Sequence, residues 1–168
     1  EKTIALFIDE ILDEYGIVKD TASEKLADIR MSLYRKRAEL KRVFARIVSK
    51  LRKEGYLTDI EESFMNGRKV LAVFAEQKRM VKGILHGESD SRRTAFIEPE
   101  ETTHLNNDIL SLENEERKEV YVILQRLTTK MRAYHSLLEM YHQVIGEYDF
   151  VRAKARMALE YHGNLPAL

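Results

Sequence analysis

Apolar residues recur every three or four positions over most of this chain and alternate only in a middle portion. From Pro99 to about Ile145 there is neither Gly nor Pro after the first residue. Val120, Leu124, Leu127, Met131, Tyr134, Leu138, Tyr141 and Ile145 follow a 4-3-4-3 spacing, a heptad seam. Leu105, Ile109 and Leu112 form a shorter seam, and 113–119 (ENEERKE) between the two has no apolar residue. The pattern predicts one helix of roughly 70 Å at the standard rise, packed at both ends and wet in the middle. Its start is marked by Glu98-Pro99-Glu100-Glu101, a proline followed by first-turn acids, and its end is expected at Gly146. After it, Asp149 is placed to cap a last helix over 150–162, followed by a linker at 163–166.

A second helix is predicted from about Ser23 to Glu54. Leu26, Ile29, Leu33, Leu40, Val43 and Ile47 keep heptad spacing, Lys36 breaks it once, and Gly55 closes it. Upstream, Ile4, Phe7, Ile8, Ile11 and Leu12 make an amphipathic helix over 3–14 that ends at Tyr15-Gly16. The texture changes over 60–65, 68–75, 80–87 and 94–98, which are rich in Val, Ile, Leu and Phe. Asn66-Gly67 between the first two is a strong two-residue hairpin signal. The segments 76–79 and 88–93 supply two further turns. A small antiparallel sheet is marginal alone, so the helices must close its core.

The expected fold is therefore mainly α with a small antiparallel β-sheet. A long antiparallel coiled-coil arm (23–54 and 99–119) carries the sheet (55–98) at its tip, and 1–22 with 120–165 form a helical base.

Composition narrows the chemistry. The 168 residues contain no Cys and no Trp, which removes disulfides, thiol nucleophiles and Cys-based zinc sites. There is no apolar run long enough for a membrane span and no signal-peptide pattern, so a cytoplasmic location without membrane contact is expected. With Glu1 first and an abrupt end after Pro166, the chain is expected to be a piece of something larger. The net charge of zero hides segregation. Residues 24–53 hold eleven Lys/Arg against three Asp/Glu, and 97–119 hold two against eight. Arg35, Lys36, Arg37, Lys41, Arg42 and Arg46 are thus expected mainly to pair with the acidic helix. Any basic face left over is free to follow a nucleic-acid backbone.

Catalytic signals are missing. There is no P-loop, nucleophile elbow or zinc-protease motif, and no carboxylate or Ser stands beside a suggestive His. His135, Glu139 and His142 share a helical stripe, but a flank of the heptad seam explains them better than a metal, and no metal site is expected. His86 and His104 have no sequence partner. Tyr134, Tyr141 and Tyr161 read as core rather than stacking platforms. The functional candidates are the cations of the sheet: Arg68, Lys69, Lys78, Arg79, Lys82, Arg92 and Arg93. Only Glu76, Glu88 and Asp90 oppose them locally, so they suit sequence-independent phosphate contact.

From Gly16 to Leu159 the chain resembles the bacterial MutS type-two family, paralogues of the mismatch-repair MutS ATPases. The resemblance rests on Asn66-Gly67-Arg68 with Val70-Leu71, on Ala75-Glu76, and on Gly83-Ile84-Leu85-His86. It rests above all on Phe96-Ile97-Glu98-Pro99-Glu100 with Leu105-Asn106-Asn107. Asp20, Ala22-Ser23, Leu26-Ala27, Ile29-Arg30, Asp149-Phe150 and Ala153-Lys154-Ala155-Arg156 support it. The chain departs at Ala72 and Phe74, where the family usually has Pro and Lys. It departs again at Ser91-Arg92-Arg93-Thr94, where the family has a compact Ser-Gly-Ala-Thr turn.

The resemblance implies a non-catalytic core, lever and clamp region that carries ATPase-driven motion to a clamp on nucleic acid, either branched DNA or the ribosome. It also implies a full-length homodimer with an ATPase, binding ATP and Mg²⁺, and a nuclease-type domain outside these residues. The alternative is a structural coiled-coil module in which the seam over 120–145 binds a second copy and the sheet is only a cap.

Overall fold

The structure is a computed structural model that describes residues 2–163. The chain divides into two compact units, one formed by 11–123 and the other by 1–10 with 124–168.

The larger unit is built on α2 (Glu24–Lys53). Ser23 is extended, and its hydroxyl accepts the Leu26 N–H at 3.0 Å, the N-cap expected of a serine ahead of an acid. At the other end Lys50, Arg52 and Lys53 oppose the helix dipole. There Gly55 takes φ +74°, and the Tyr56 and Gly55 amides return to the carbonyls of Leu51 and Arg52, a Schellman closure.

Four antiparallel strands follow: β1 (Leu57–Met65), β2 (Arg68–Phe74), β3 (Gly83–Glu88) and β4 (Thr94–Pro99), in the spatial order β1-β2-β4-β3. Asn66 and Gly67 both have positive φ, 51° and 76°, as a type I′ hairpin requires, and set Met65 opposite Arg68. β1 bulges between Leu57 and Glu62, where Glu61 has φ +58° and is gripped by Arg52 through two 2.5 Å bonds. Gly83 lies so close to β4 that an added Cβ would stand 2.0 Å from the Glu98 carbonyl oxygen.

α3 (Glu100–Met131) starts directly from β4. One core joins the sheet to both helices: Phe44, Leu71, Val73, Ala95, Ile97 and Leu105 are buried together. The helices thus close the sheet, as its small size demands. Gly67 meets Leu110 of α3, and Lys69 sits 4.7 Å above the Phe44 ring of α2, so the β1–β2 hairpin packs alongside both helices.

Ion pairs fix the helix alignment. Lys25 meets Glu119 (3.0 Å), Arg30 meets Glu116 (2.7 Å), Arg37 meets Glu113 (2.8 Å) and Lys36 meets Asp108 (2.7 Å). Partners on α3 fall from 119 and 116 to 113 and 108 as positions on α2 rise from 25 and 30 to 36 and 37, so the two helices run antiparallel. The stretch 113–119 is not simply wet. Glu119 is buried and also accepts from the Ser23 hydroxyl, and Glu113 and Glu116 are half-buried. On α2 the buried line changes after Leu40 to Phe44, Val48 and Leu51, leaving the predicted Val43 and Ile47 half-buried. There the helix turns its apolar residues to the sheet as well as to α3.

In the smaller unit the structure corrects the reading of one helix to Gly146. α3 ends at Met131, a short 3-10 turn spans Arg132–Tyr134, and α4 (His135–Glu160) then runs through Gly146. The Thr128 and Thr129 hydroxyls bond back to the carbonyls of Leu124 and Gln125 one turn before the break, a pattern that weakens and bends helices. Gly146 is a helix-interior residue with no atom of a neighbour within 4 Å of an added Cβ. A lone Gly costs a helix only about 1 kcal/mol, too little to stop one. The separate helix over 150–162 and its Asp149 cap do not exist. Of the predicted seam Leu127 is buried, and Ile123 rather than Leu124 joins it. In this unit α1 (Lys2–Ile11) sets Phe7 against Tyr134, ring centroids 6.3 Å apart. The linker expected at 163–166 lies almost wholly outside the described residues.

Candidate nucleic-acid interface

The seven candidate cations separate into two groups. Arg68, Lys69 and Lys82 belong to the end of the sheet where β4 passes into α3, since Gly83 pairs with Pro99 and the Glu100 amide bonds to the Lys82 carbonyl. Lys78, Arg79, Arg92 and Arg93 belong to the two turns at the other end. The Ala75 amide bonds there to the Arg93 carbonyl, and Lys78 pairs with Glu88 at 2.6 Å.

At the first end the charges turn inward. Glu98 is fully buried and receives three bonds: from Arg68 Nη1 at 2.8 Å, from Asn106 Nδ2 at 2.9 Å and at His86 Nε2 at 2.6 Å. Burial alone pushes the Glu98 carboxyl up. The bonds from Asn106, His86 and Arg68, with the Arg68 charge, outweigh it and hold the group below the usual carboxylate range. Arg68 also reaches Asn107, and Asn106 both accepts from the Lys69 amide and donates to its carbonyl. One carboxylate thereby ties β2, β3, β4 and the first turns of α3 together. Lys69 pairs with Glu62 at 2.9 Å and is otherwise covered. Arg68 and Lys69 are thus committed to partners inside the protein, and of this group only Lys82 faces solvent.

At the second end Arg79, Arg92 and Arg93 are exposed, and among the described residues none makes an ion pair. Arg92 has φ +54°, a left-handed conformation that L residues adopt at a cost. The sequence marks this turn only by its departure from the Ser-Gly-Ala-Thr pattern. The Glu98 junction was not legible as such. Its one signal is an acid set in the apolar run Ala95-Phe96-Ile97.

The stripe of His135, Glu139 and His142 holds nothing together. His135 and Glu139 are exposed and 4.0 Å apart, and among the described residues no three His, Asp or Glu side chains are grouped to hold a metal. No helix among them is long and apolar enough to cross a membrane.

No family model matches the chain. Curated relatives do. It is 33% identical to the Endonuclease MutS2 of Aquifex aeolicus over 156 residues, which is 92% of this chain and 20% of that protein. It is 34% identical to the Endonuclease MutS2 of Streptococcus suis over 157 residues, 94% and 20% respectively. Thermotoga maritima has an Endonuclease MutS2 that is 33% identical over 165 residues, 95% and 21%. These matches place the chain among MutS-type proteins. Within that class it belongs to the type-two family, as a segment spanning about a fifth of the length of the relatives it matches.

Proposed function

We propose that this segment is the core, lever and clamp region of a MutS-type ATPase, and that it grips a nucleic-acid backbone through the exposed end of its sheet. The observation that carries this reading is the contrast between the two ends. At one end Arg68 is spent on a buried carboxylate that fastens the sheet to α3 and Lys69 on Glu62, which leaves Lys82 alone of that group facing solvent. The other presents Arg79, Arg92 and Arg93 to solvent. A sheet clamped to two antiparallel helices moves with them, so motion delivered to the helices reaches the cations without loss in a hinge. On this reading α2 and α3 are the arm, the sheet is its working end, and contacts to phosphate position without reading sequence.

ATP and Mg²⁺ are assigned to the remainder of the full-length protein. The chain has no Gly-x-x-x-x-Gly-Lys-Ser/Thr loop to cradle phosphates, and no step here runs through a nucleotide. The full-length protein is proposed to be a cytoplasmic homodimer that engages branched DNA or the ribosome. Replacing Arg79, Arg92 and Arg93 with Glu in the intact protein should weaken binding to a DNA four-way junction and to ribosomes at least tenfold. Unchanged affinity for both would remove the sheet from the interface.

A further inference from the structure

We infer that a second phosphate-binding surface lies on the outward face of α2, a ridge formed by Arg35, Arg42, Arg46, Lys50 and Lys53, and that its partner is the backbone of duplex DNA. The inference rests on the nucleic-acid reading above and names a surface which that reading does not use.

The antiparallel register creates the ridge. The acids at 108–119 stand opposite the N-terminal half of α2, and they pair there with Lys25, Arg30, Lys36 and Arg37. They do not reach its C-terminal half. From 38 to 53 the helix carries Lys41, Arg42, Arg46, Lys50, Arg52 and Lys53 against Glu39 alone, and among the described residues only Arg52 of these has an ion pair, to Glu61. The net charges of +8 in 24–53 and −6 in 97–119 therefore do not offset each other where the charge sits.

The unpaired cations are also aligned. At 3.6 residues per turn, Arg35, Arg42, Arg46 and Lys53 fall within about 40° of one another, with Lys50 about 60° away. Leu33, Leu40, Phe44 and Leu51 occupy the opposite side and are buried. All five cations are exposed, and among the described residues none makes an ion pair. The ridge is about 27 Å long. Among the described residues the acids near the face are Glu24 and Asp28 before the ridge begins, half-buried Glu39, and Glu54 and Glu101, which line one pocket with Lys50 at the ridge's far end.

Charge complementarity selects the occupant. A duplex presents one phosphate per ~1.7 Å of axis with both strands counted, so about sixteen fall within the ridge's length on all sides of the duplex, enough for five cations to find partners in any sequence register. The ridge has no aromatic side chain on which unstacked bases could lie, which disfavours single strands. Beside its charges it offers little beyond Ser49 to contact a ribose hydroxyl, which disfavours double-stranded RNA.

The test is fluorescence anisotropy of a labelled DNA duplex with the intact protein across a NaCl series. The wild type should give a plot of log K against log salt steeper than about −4, because each neutralised phosphate contributes about −0.9. The R35Q/R42Q/R46Q variant avoids Lys50 and Lys53, which also serve the helix terminus. It should lose about 3 from that slope and at least tenfold in affinity at 100 mM salt. The double variant R42Q/R46Q should lose about 2. Circular dichroism at 222 nm should be unchanged in both. If the double variant folds and keeps the wild-type slope while an Arg92, Arg93 variant loses affinity, the ridge is not an interface and the sheet reading stands. Tighter wild-type binding to an RNA duplex of the same sequence would overturn the choice of DNA, and no duplex binding at all would remove both surfaces.

Discussion

The Arg68 guanidinium donates a 2.8 Å hydrogen bond to the carboxylate of Glu98, thirty residues away in the chain and closed to solvent. Breaking one side of a buried pair leaves a charge without its counter-charge, which costs about 3–5 kcal/mol when burial is complete. Arg68 is partly exposed and Asn106 remains, so Arg68→Met should cost about 2–3 kcal/mol by urea unfolding. Adding Glu98→Gln, which removes the stranded charge and keeps an acceptor for Asn106, should restore part of the loss. A double variant less stable than Arg68→Met alone would show that the pair is not what holds the junction.

The same junction sets an acid limit. The folded-state pKa of Glu98 lies below the usual value, whereas an unfolded Glu titrates near ~4.3. The unfolded chain therefore takes up the proton first as pH falls. The stability this group contributes is fully present above about pH 4.3 and is lost as pH drops through the folded value. Urea midpoints measured from pH 7 down to 2 should decline below about pH 4, and Glu98→Gln should flatten that decline. Parallel curves for the two proteins would assign the acid sensitivity elsewhere.

Arg92 offers a test of strain against charge. A left-handed conformation costs an L residue about 1–2 kcal/mol, and Gly returns part of that as lost chain entropy, about 0.5–1 kcal/mol. Arg92→Gly should therefore stabilise the protein by about 0.5–1 kcal/mol, read as a higher melting temperature, while weakening DNA binding. Arg92→Ala keeps the strain and should weaken binding without the gain. If neither variant affects binding, the cation has no part in the interface.

The helices and the hairpin were legible because their signals are local. Gly55 and Asn66-Gly67 each fix the backbone at their own position, and the structure uses both as read; of Thr21 and Ser23, either of which suits a cap, the structure uses Ser23. Interactions between distant segments were legible only coarsely. Opposite charge on 24–53 and 97–119 indicated an antiparallel pairing, but not that the acids serve only half of α2. That depends on register, which charge totals do not contain. Gly146 shows the opposite failure, a local signal overridden because one glycine is too weak to end a helix that Thr128 and Thr129 had already loosened earlier. For the candidate site, composition exposed the seven sheet cations, while burial alone separates Arg68 and Lys69, which hold the sheet in place, from Arg79, Arg92 and Arg93, which face solvent.

The account turns on pairing, not net charge, as the determinant of which cations of α2 are available to a ligand. The decisive measurement compares two variants of equal charge change in the intact protein, K25Q/R30Q/R37Q and R35Q/R42Q/R46Q, by the salt dependence of DNA duplex binding alongside urea unfolding. The first removes cations already joined to Glu119, Glu116 and Glu113, and should keep the wild-type salt slope while lowering the urea midpoint. The second should lose about 3 from the slope and keep its midpoint. Equal losses of slope in the two variants would contradict the account.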